Sequence, residues 1–484
     1  LSGEPSPAPP PDGLVAVVKR SCPTSVLVVP VLADLAERAP GGLTVYSQDD
    51  PSFPDGMAVV DDTGLETSFA LDLETVPTLL RFEGGAETAR VVGWNREQWE
   101  GLTGVTGLGE GLPAWRPGCG SRTRDPAVAA AHATEVGLRS LVSRRVPLGA
   151  EEDDAEAAYE RGWSDGLPVV PPTPERVVRM LAGTGRDPSE VVAVVPPDLV
   201  ECTVEKVAVN AVLAGCRPEH LPVVLAAVEA ACAEPFNMHG LLATTWFAGP
   251  VVVVGGPVAR AVGMNHGINA LGPGNRANAT IGRAVQLVVR NVGGGRPGEI
   301  DRATLGQPGK YTACFAEDDP LDGWPLLHEE RGLPAGSSGV TVFAGEAPRG
   351  VLDQLSRDPA SLARSFAACL RTTTHPKMVV AFDAMLVVSP EHTRVFVEAG
   401  WSKQRLADEL AGLLQVDGDD VIRGAGGIAE GLDEGFAGVT LPKFRPGGLL
   451  ITRAGGRAGL FSAIIGGWAS GALGSDPVTR EVNP

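Results

Sequence analysis

Positive charge is in short supply in this chain: 40 Lys and Arg stand against 59 Asp and Glu, a formal charge of −19 over 484 residues. So acidic a surface repels a phosphate backbone unless a local basic groove intervenes. The basic clusters Arg122/Arg124 and Arg144/Arg145 are too short to make one, so nucleic acid is excluded as a partner. Long apolar runs are also missing. The longest candidate for a membrane span, residues 244–263, is interrupted by Gly249, Pro250, Gly255, Gly256, Pro257 and Arg260 and reads as a buried strand entering a turn. No basic-then-apolar segment opens the chain. Cysteine is sparse: Cys22, Cys119, Cys202, Cys216, Cys232, Cys314 and Cys369 are odd in number and scattered, unlike a secreted disulfide framework, and fit a reducing cytoplasm.

What is present is globular. Gly (62) and Pro (41) stay below low-complexity levels, 43% of residues are apolar and 20% are charged, so two or three ordered domains of α/β class are expected. The Pro-rich residues 1–12 read as a mobile tail. Residues 13–104 give a strand (Leu14–Val18), the turn Ser21-Cys22-Pro23-Thr24-Ser25, a helix from Val26 to about Ala39, and a strand near Leu43–Tyr46. A strand pair, Thr75–Phe82 and Ala89–Val92, and a helix from about Asn95 complete this region. The Gly/Pro-rich stretch 104–125 marks a boundary, so 105–150 reads as a linker with one helix from Pro126. From 151 to 484 strand-like runs (VVAVVPP, VVVVGG, MVVAF, AMLVVSP, LLITRAGG) alternate with helices over Val204–Ala214, Pro222–Ala233 and Ala277–Asn291, which predicts a large α/β domain. Three segments share a strand-turn-helix plan: PVVVVGGPVARAVG, AMLVVSPEHTRVFVEAG and GLLITRAGGRAGLFSAII. A duplicated βα core would give this plan, and so would the convergence of buried strands on Val/Leu/Ile runs, which is the favoured reading.

The Cys22 turn, the helix directly after it and Val76-Pro77-Thr78 opening a later hairpin together resemble the thioredoxin family over residues 13–104. A cysteine where a helix begins meets unpaired backbone N–H groups and the positive end of the helix dipole, which stabilise a thiolate. Cys22 is therefore the expected nucleophile and the first thiol to be alkylated at neutral pH. The resemblance implies a cis bond before Pro77, beside Cys22, where the preceding backbone pairs with an extended thiol substrate. Ser25 stands where the family has its resolving cysteine, so a mixed disulfide at Cys22 cannot close locally. Monothiol relatives hold a low-molecular-weight thiol, form long-lived mixed disulfides or use a cysteine elsewhere.

Cys119, between Gly118 and Gly120, has an exposed-looking sulfur, and Arg116, Arg122 and Arg124 are expected to lower its pKa. It is the candidate resolving thiol or second nucleophile. The strings GWSDGLPVVPPT (162–173), NAVLAGC (210–216), LGPGNRANATIGRA (271–284) and GQPGKYTACFAED (306–318) resemble an uncharacterised bacterial family often joined to thioredoxin-like domains, over about 115–484. That resemblance implies no particular reaction. Gly274, Asn275 and Arg276 open a helix and, with Arg283, offer N–H groups and cations to a carboxylate or phosphate. Lacking GxGxxG or P-loop spacing, the turn reads equally as an Asn-capped helix start. His239 and His266 flank the VVVV strand and are candidate proton carriers at one end of a sheet. Lys377 is a candidate substrate ligand. Cys314, Glu317 and His328 form a looser metal constellation that matches no zinc spacing.

Together these residues predict a cytoplasmic thiol-dependent enzyme, an oxidoreductase or carbon–sulfur lyase, acting on a small anionic molecule. The N-terminal module would present its thiol to the larger domain, served by a thiol donor or redox partner. Two other readings stay open: a metal-dependent lyase or hydrolase with a structural thioredoxin-like module, and a non-catalytic binding or assembly protein that forms homo-oligomers.

Overall fold

Alternation along β1 (Gly13–Val18) sets the layers of the N-terminal region: Leu14, Ala16 and Val18 face one core, Val15 and Val17 the other. The computed structural model describes residues 10–149 and 151–483, and the chain divides into two units, Leu1–Arg139 and Ser140–Pro484. Residues 1–9 of the expected tail lie outside the described residues. After β1 come α1 (Pro23–Leu27), α2 (Val29–Arg38), β2 (Leu43–Ser47), β3 (Val59–Asp61), α3 (Glu66–Ala70), β4 (Thr75–Val76) and β5 (Thr78–Glu83). Then follow β6 (Ala86–Val92), β7 (Trp94–Asn95), α4 (Arg96–Thr103), β8 (Trp115–Arg116), β9 (Cys119–Gly120) and α5 (Pro126–Ser140). The five-stranded sheet is ordered β3-β2-β1-β5-β6, parallel from β3 to β1 and antiparallel from β1 to β6.

Two prolines account for departures from the expected elements. The single helix breaks at Val28, because Pro30 at the start of α2 has no N–H to continue the ladder from α1. The strand expected over Thr75–Phe82 is likewise divided at Pro77, whose bond to Val76 is cis. Residues 104–125, expected as linker, return to the first unit: β8 pairs with β7, and β9 pairs with β4.

The second unit begins with α6 (Asp154–Glu160), α7 (Pro174–Leu181), the hairpin β10 (Val191–Val195) and β11 (Val200–Thr203), then α8 (Val204–Ala214), α9 (Leu221–Ala231) and α10 (Met238–Ala243). Next are β12 (Gly249–Gly255), α11 (Pro257–Ala261), α12 (Arg276–Asn291), β13 (Cys314–Ala316), α13 (Leu327–Glu330), β14 (Gly339–Gly345), β15 (Arg349–Leu352) and α14 (Pro359–Arg371). The chain finishes with β16 (Phe382–Val388), α15 (Pro390–Glu398), α16 (Lys403–Leu413), β17 (Gln415–Asp417), α17 (Gly418–Val421), β18 (Thr440–Pro442), β19 (Leu449–Arg453), β20 (Phe461–Ala469) and β21 (Val478–Glu481). The run MVVAF, expected as a strand, is irregular up to Phe382 and holds Val380 at a positive φ of 54°.

The large sheet is ordered β13-β12-β14-β20-β16-β19, with β21 on β14 and β15 on β20. Its two halves share one plan: β12 lies between parallel β13 and antiparallel β14, as β16 lies between parallel β19 and antiparallel β20. A helix follows each central strand, α11 and α15 respectively. The look-alike strings at β12 and β16 thus hold equivalent positions, a repeat that convergence of buried strands does not by itself produce. The halves meet at the pair Gly345 and Gly467. A Cβ on Gly345 would lie 2.7 Å from Ile465 and 2.8 Å from Val251, so the junction requires glycine.

Period-two alternation builds the remaining layers. Val252 and Val254 pack with Val207, Val224 and Val285 of α8, α9 and α12, while Val251 and Val253 join Met385, Val387 and Ile465 between the halves. Ala384, Leu386 and Val388 face Phe366, Phe396 and Leu406 of α14, α15 and α16. The order is helices, half-sheet, half-sheet, helices. Among the described residues no single helix is long and apolar enough to cross a bilayer. Phe366 is completely buried, and Phe366→Ala is expected to cost about 3–5 kcal/mol, read from urea unfolding. A loss below about 1 kcal/mol would show that α14 does not hold the second half-sheet.

Candidate functional site

Cys22 is the N-cap of α1, where its sulfur accepts the Ser25 N–H at 3.4 Å and lies 3.3 Å from the Val76 carbonyl oxygen. The register of β4 with β9 sets Val76 opposite Cys119. That places the two sulfurs 2.7 Å apart, longer than a covalent S–S bond of about 2.05 Å and inside van der Waals contact, within reach of disulfide formation. Thr24 Oγ1 donates to Pro117 O at 2.7 Å, and Lys19 Nζ to Gly120 O at 2.7 Å, so α1 and the end of β1 grip the turn from both sides of Cys119. Gly118 is required for this approach: a Cβ there would meet Thr75 Cγ2 and stand 2.7 Å from Val76 O.

A buried polar cluster anchors the next residues. Gln48 donates to Ser121 Oγ at 2.7 Å and to Ser68 Oγ at 2.8 Å, and accepts from Arg122 N at 3.1 Å. Sequence reasoning missed Gln48 and Ser121, since a single Gln after β2 carries no signal until the fold sets it under the turn.

The two thiols are unequal. Burial raises the Cys22 pKa, but the Cys119 thiol donating to it, with Ser25 and the Thr24 N–H, outweighs burial and holds Cys22 below the ordinary thiol value. Burial pushes the Cys119 thiol up, and its bond to Cys22 pushes it further. The expectation that nearby arginines lower Cys119 is therefore corrected: Arg122 is spent on the Gln48 carbonyl and Arg124 on Glu74. Access is corrected as well. Cys22 is 0% exposed and Cys119 is half-buried over it, so a reagent meets Cys119 first unless the turn moves. Cys202, Cys216 and Cys232 are pushed up to about 12 by burial and are inert by comparison.

In the second unit the predicted residues have mostly structural partners. Asn275 caps α12 through the Asn278 N–H, Gly274 takes a φ of 117° before it, and Arg276 donates to Gly215 O. Arg283 forms a two-pronged pair with Asp165 at 2.7 and 2.9 Å. The turn is thus a capped helix start with its cations already committed. Lys377 Nζ donates to the carbonyls of Ile422, Ala425 and Ile428 and ties down a loop. Lys443, not foreseen, does likewise for Thr373, His375 and Met378, and burial lowers its pKa to about 8.

His239 and His266 do not converge. His239 is exposed on α10, ahead of the start of β12, whereas His266 lies beyond the other end, with Nδ1 3.0 Å from the Asp318 carboxylate that follows β13. Asp318 in turn pairs with Arg453 at 2.8 Å. The metal constellation does not assemble either. Glu317 accepts the Leu327 N–H and lies 3.8 Å from Lys403 Nζ, His328 Nε2 is 3.1 Å from Ser337 O, and burial pushes the Cys314 thiol up. Among the described residues no three His, Cys, Asp or Glu side chains form a metal-holding group.

Neither a protein-family model nor a curated protein matches the chain. Because the Cys119 thiol donates to Cys22, Cys119→Ala is expected to raise the Cys22 pKa, and thiolate absorbance at neutral pH should fall. An unchanged ultraviolet titration in that variant would separate the two sulfurs electrostatically.

Proposed function

We propose that the N-terminal unit is a thioredoxin-like thiol–disulfide exchange module in which Cys22 attacks and Cys119 resolves, and that the protein is a thiol-dependent oxidoreductase. The observation that carries this reading is the 2.7 Å contact between a sulfur held below the ordinary thiol pKa and one pushed above it. The β3-β2-β1-β5-β6 sheet, the cysteine at the first helical turn and the cis bond before Pro77 support the thioredoxin-like assignment.

Cys119 takes over the role that Ser25 cannot play. The Cys22 thiolate attacks one sulfur of a disulfide R–S–S–R′, the old S–S bond breaks, and R′–S⁻ leaves with the electron pair and takes up a proton. Cys119 then loses its proton and attacks Cys22 Sγ, releasing R–S⁻ and leaving a Cys22–Cys119 disulfide. An external dithiol restores the pair, and with an oxidising partner the same steps run in reverse. Since Cys119 covers Cys22, the 116–120 turn must swing aside to admit the disulfide and close again to resolve it.

Glutathione disulfide added to the reduced full-length chain tests the scheme. Cys119→Ser should accumulate a one-to-one glutathione adduct on Cys22, seen as added mass. The parent chain should pass to the intramolecular disulfide with little adduct. Cys22→Ser should lose exchange by about 100-fold or more. Undiminished exchange without Cys22, or equal adduct with and without Cys119, overturns it.

A further inference from the structure

The second unit contains a cleft of about 570 Å³ at the start of β12, walled by α10, the C-terminal half of α12 and the loop 295–311. Its apolar side is formed by Met238, Leu241, Leu242 and Leu305. Its polar side is short of acceptors. Gln286, Arg290 and Gln307 line the cleft, and Gln286 Nε2, Arg290 Nε and Gln307 Nε2 lie buried beneath its surface with no hydrogen-bond partner among the described residues. The Gln307 amide cannot be reversed to hide its donor, because Oε1 already accepts the Gly309 N–H at 2.6 Å.

Charge points the same way. Lys310 is neutralised by Asp301 at 2.7 Å and Asp165 by Arg283 at 2.7 Å, so those ions cancel in pairs. Arg290 makes no ion pair among the described residues, although it also borders a smaller cleft of about 330 Å³ that contains Asp198 and Glu299. The negative end of α12 offsets only part of its charge.

Buried N–H groups left without acceptors are uncommon and mark places where something else supplies the acceptor. We infer that this cleft binds a small oxyanion, a carboxylate or phosphate on an apolar body, held by Arg290, Gln286 and Gln307. A guanidinium with two amide donors suits two or three oxygens of one anion. The site lies along the same helix as the anion site expected at Gly274–Arg276, further toward the helix's end, and it stands independently of the sulfur chemistry of the first unit.

Calorimetric titration of the full chain with 4-methylpentanoate, inorganic phosphate and the neutral 4-methylpentanamide tests this. One of the anions should bind at one site with a Kd of about 1 mM or tighter, and the amide at least about tenfold more weakly. Arg290→Gln and Gln307→Leu, each with an unfolding midpoint matching the parent, should each lose about tenfold or more in that affinity. Binding of 4-methylpentanoate alone identifies an organic acid, and binding of phosphate alone a phosphate-bearing ligand. Failure of both anions to bind, equal binding of the amide, or affinity unchanged in both variants overturns the inference.

Discussion

Two sulfurs 2.7 Å apart cannot both carry charge, so the environment of Cys22 and Cys119 decides which one does. The first turn of α1 gives the Ser25 and Thr24 N–H groups to Cys22, only the Thr24 N–H reaches Cys119, and the Cys119 thiol adds a further donor to Cys22. The two are therefore pushed apart, Cys22 below the ordinary thiol value and Cys119 above it. Nothing in this arrangement depends on a CxxC spacing. It depends on a two-residue strand pairing, on Gly118 having no side chain, and on Gln48 holding the residues that follow. Two cysteines 97 positions apart are thereby brought into contact.

The second unit solves a different problem: how to cover both faces of two half-sheets. Each valine run in β12 and β16 serves two cores by alternation, and the halves share the core between them. Polar groups gather at the two ends of β12. At one end the Asp318 carboxylate is shared between His266 and Arg453, whose Nε has no partner among the described residues. At the other, Gln286, Arg290 and Gln307 hold buried donors that have no acceptors among the described residues.

Period and punctuation were readable without coordinates. The helices over 204–214 and 277–291 and the strands at VVVV, AMLVV and LLITR stand where hydrophobic spacing sets them, within one or two residues. So do β1 and the cysteine at the first helical turn. Cys119 was legible as a thiol in a glycine turn and as a partner for Cys22. Its burial over Cys22 and its raised pKa were not, because both follow from a pairing between residues 75–76 and 119–120 too short to leave a pattern. His239 and His266 failed to meet because the segments on either side of β12 lead to opposite ends of it, whereas Glu317 and His328 both lie beside Gly255 but are engaged by Leu327 N, Lys403 and Ser337 O. The cleft at Arg290 was invisible, since its signal is the absence of partners.

The most direct measurement of the central claim is the disulfide map of the full chain after air oxidation. Cys22 and Cys119 should be joined in most molecules while Cys202, Cys216, Cys232 and Cys314 stay reduced, with the bond readily cleared by excess dithiol. A chain that leaves both of those thiols free, or that links either of them mainly to another cysteine, would contradict the account.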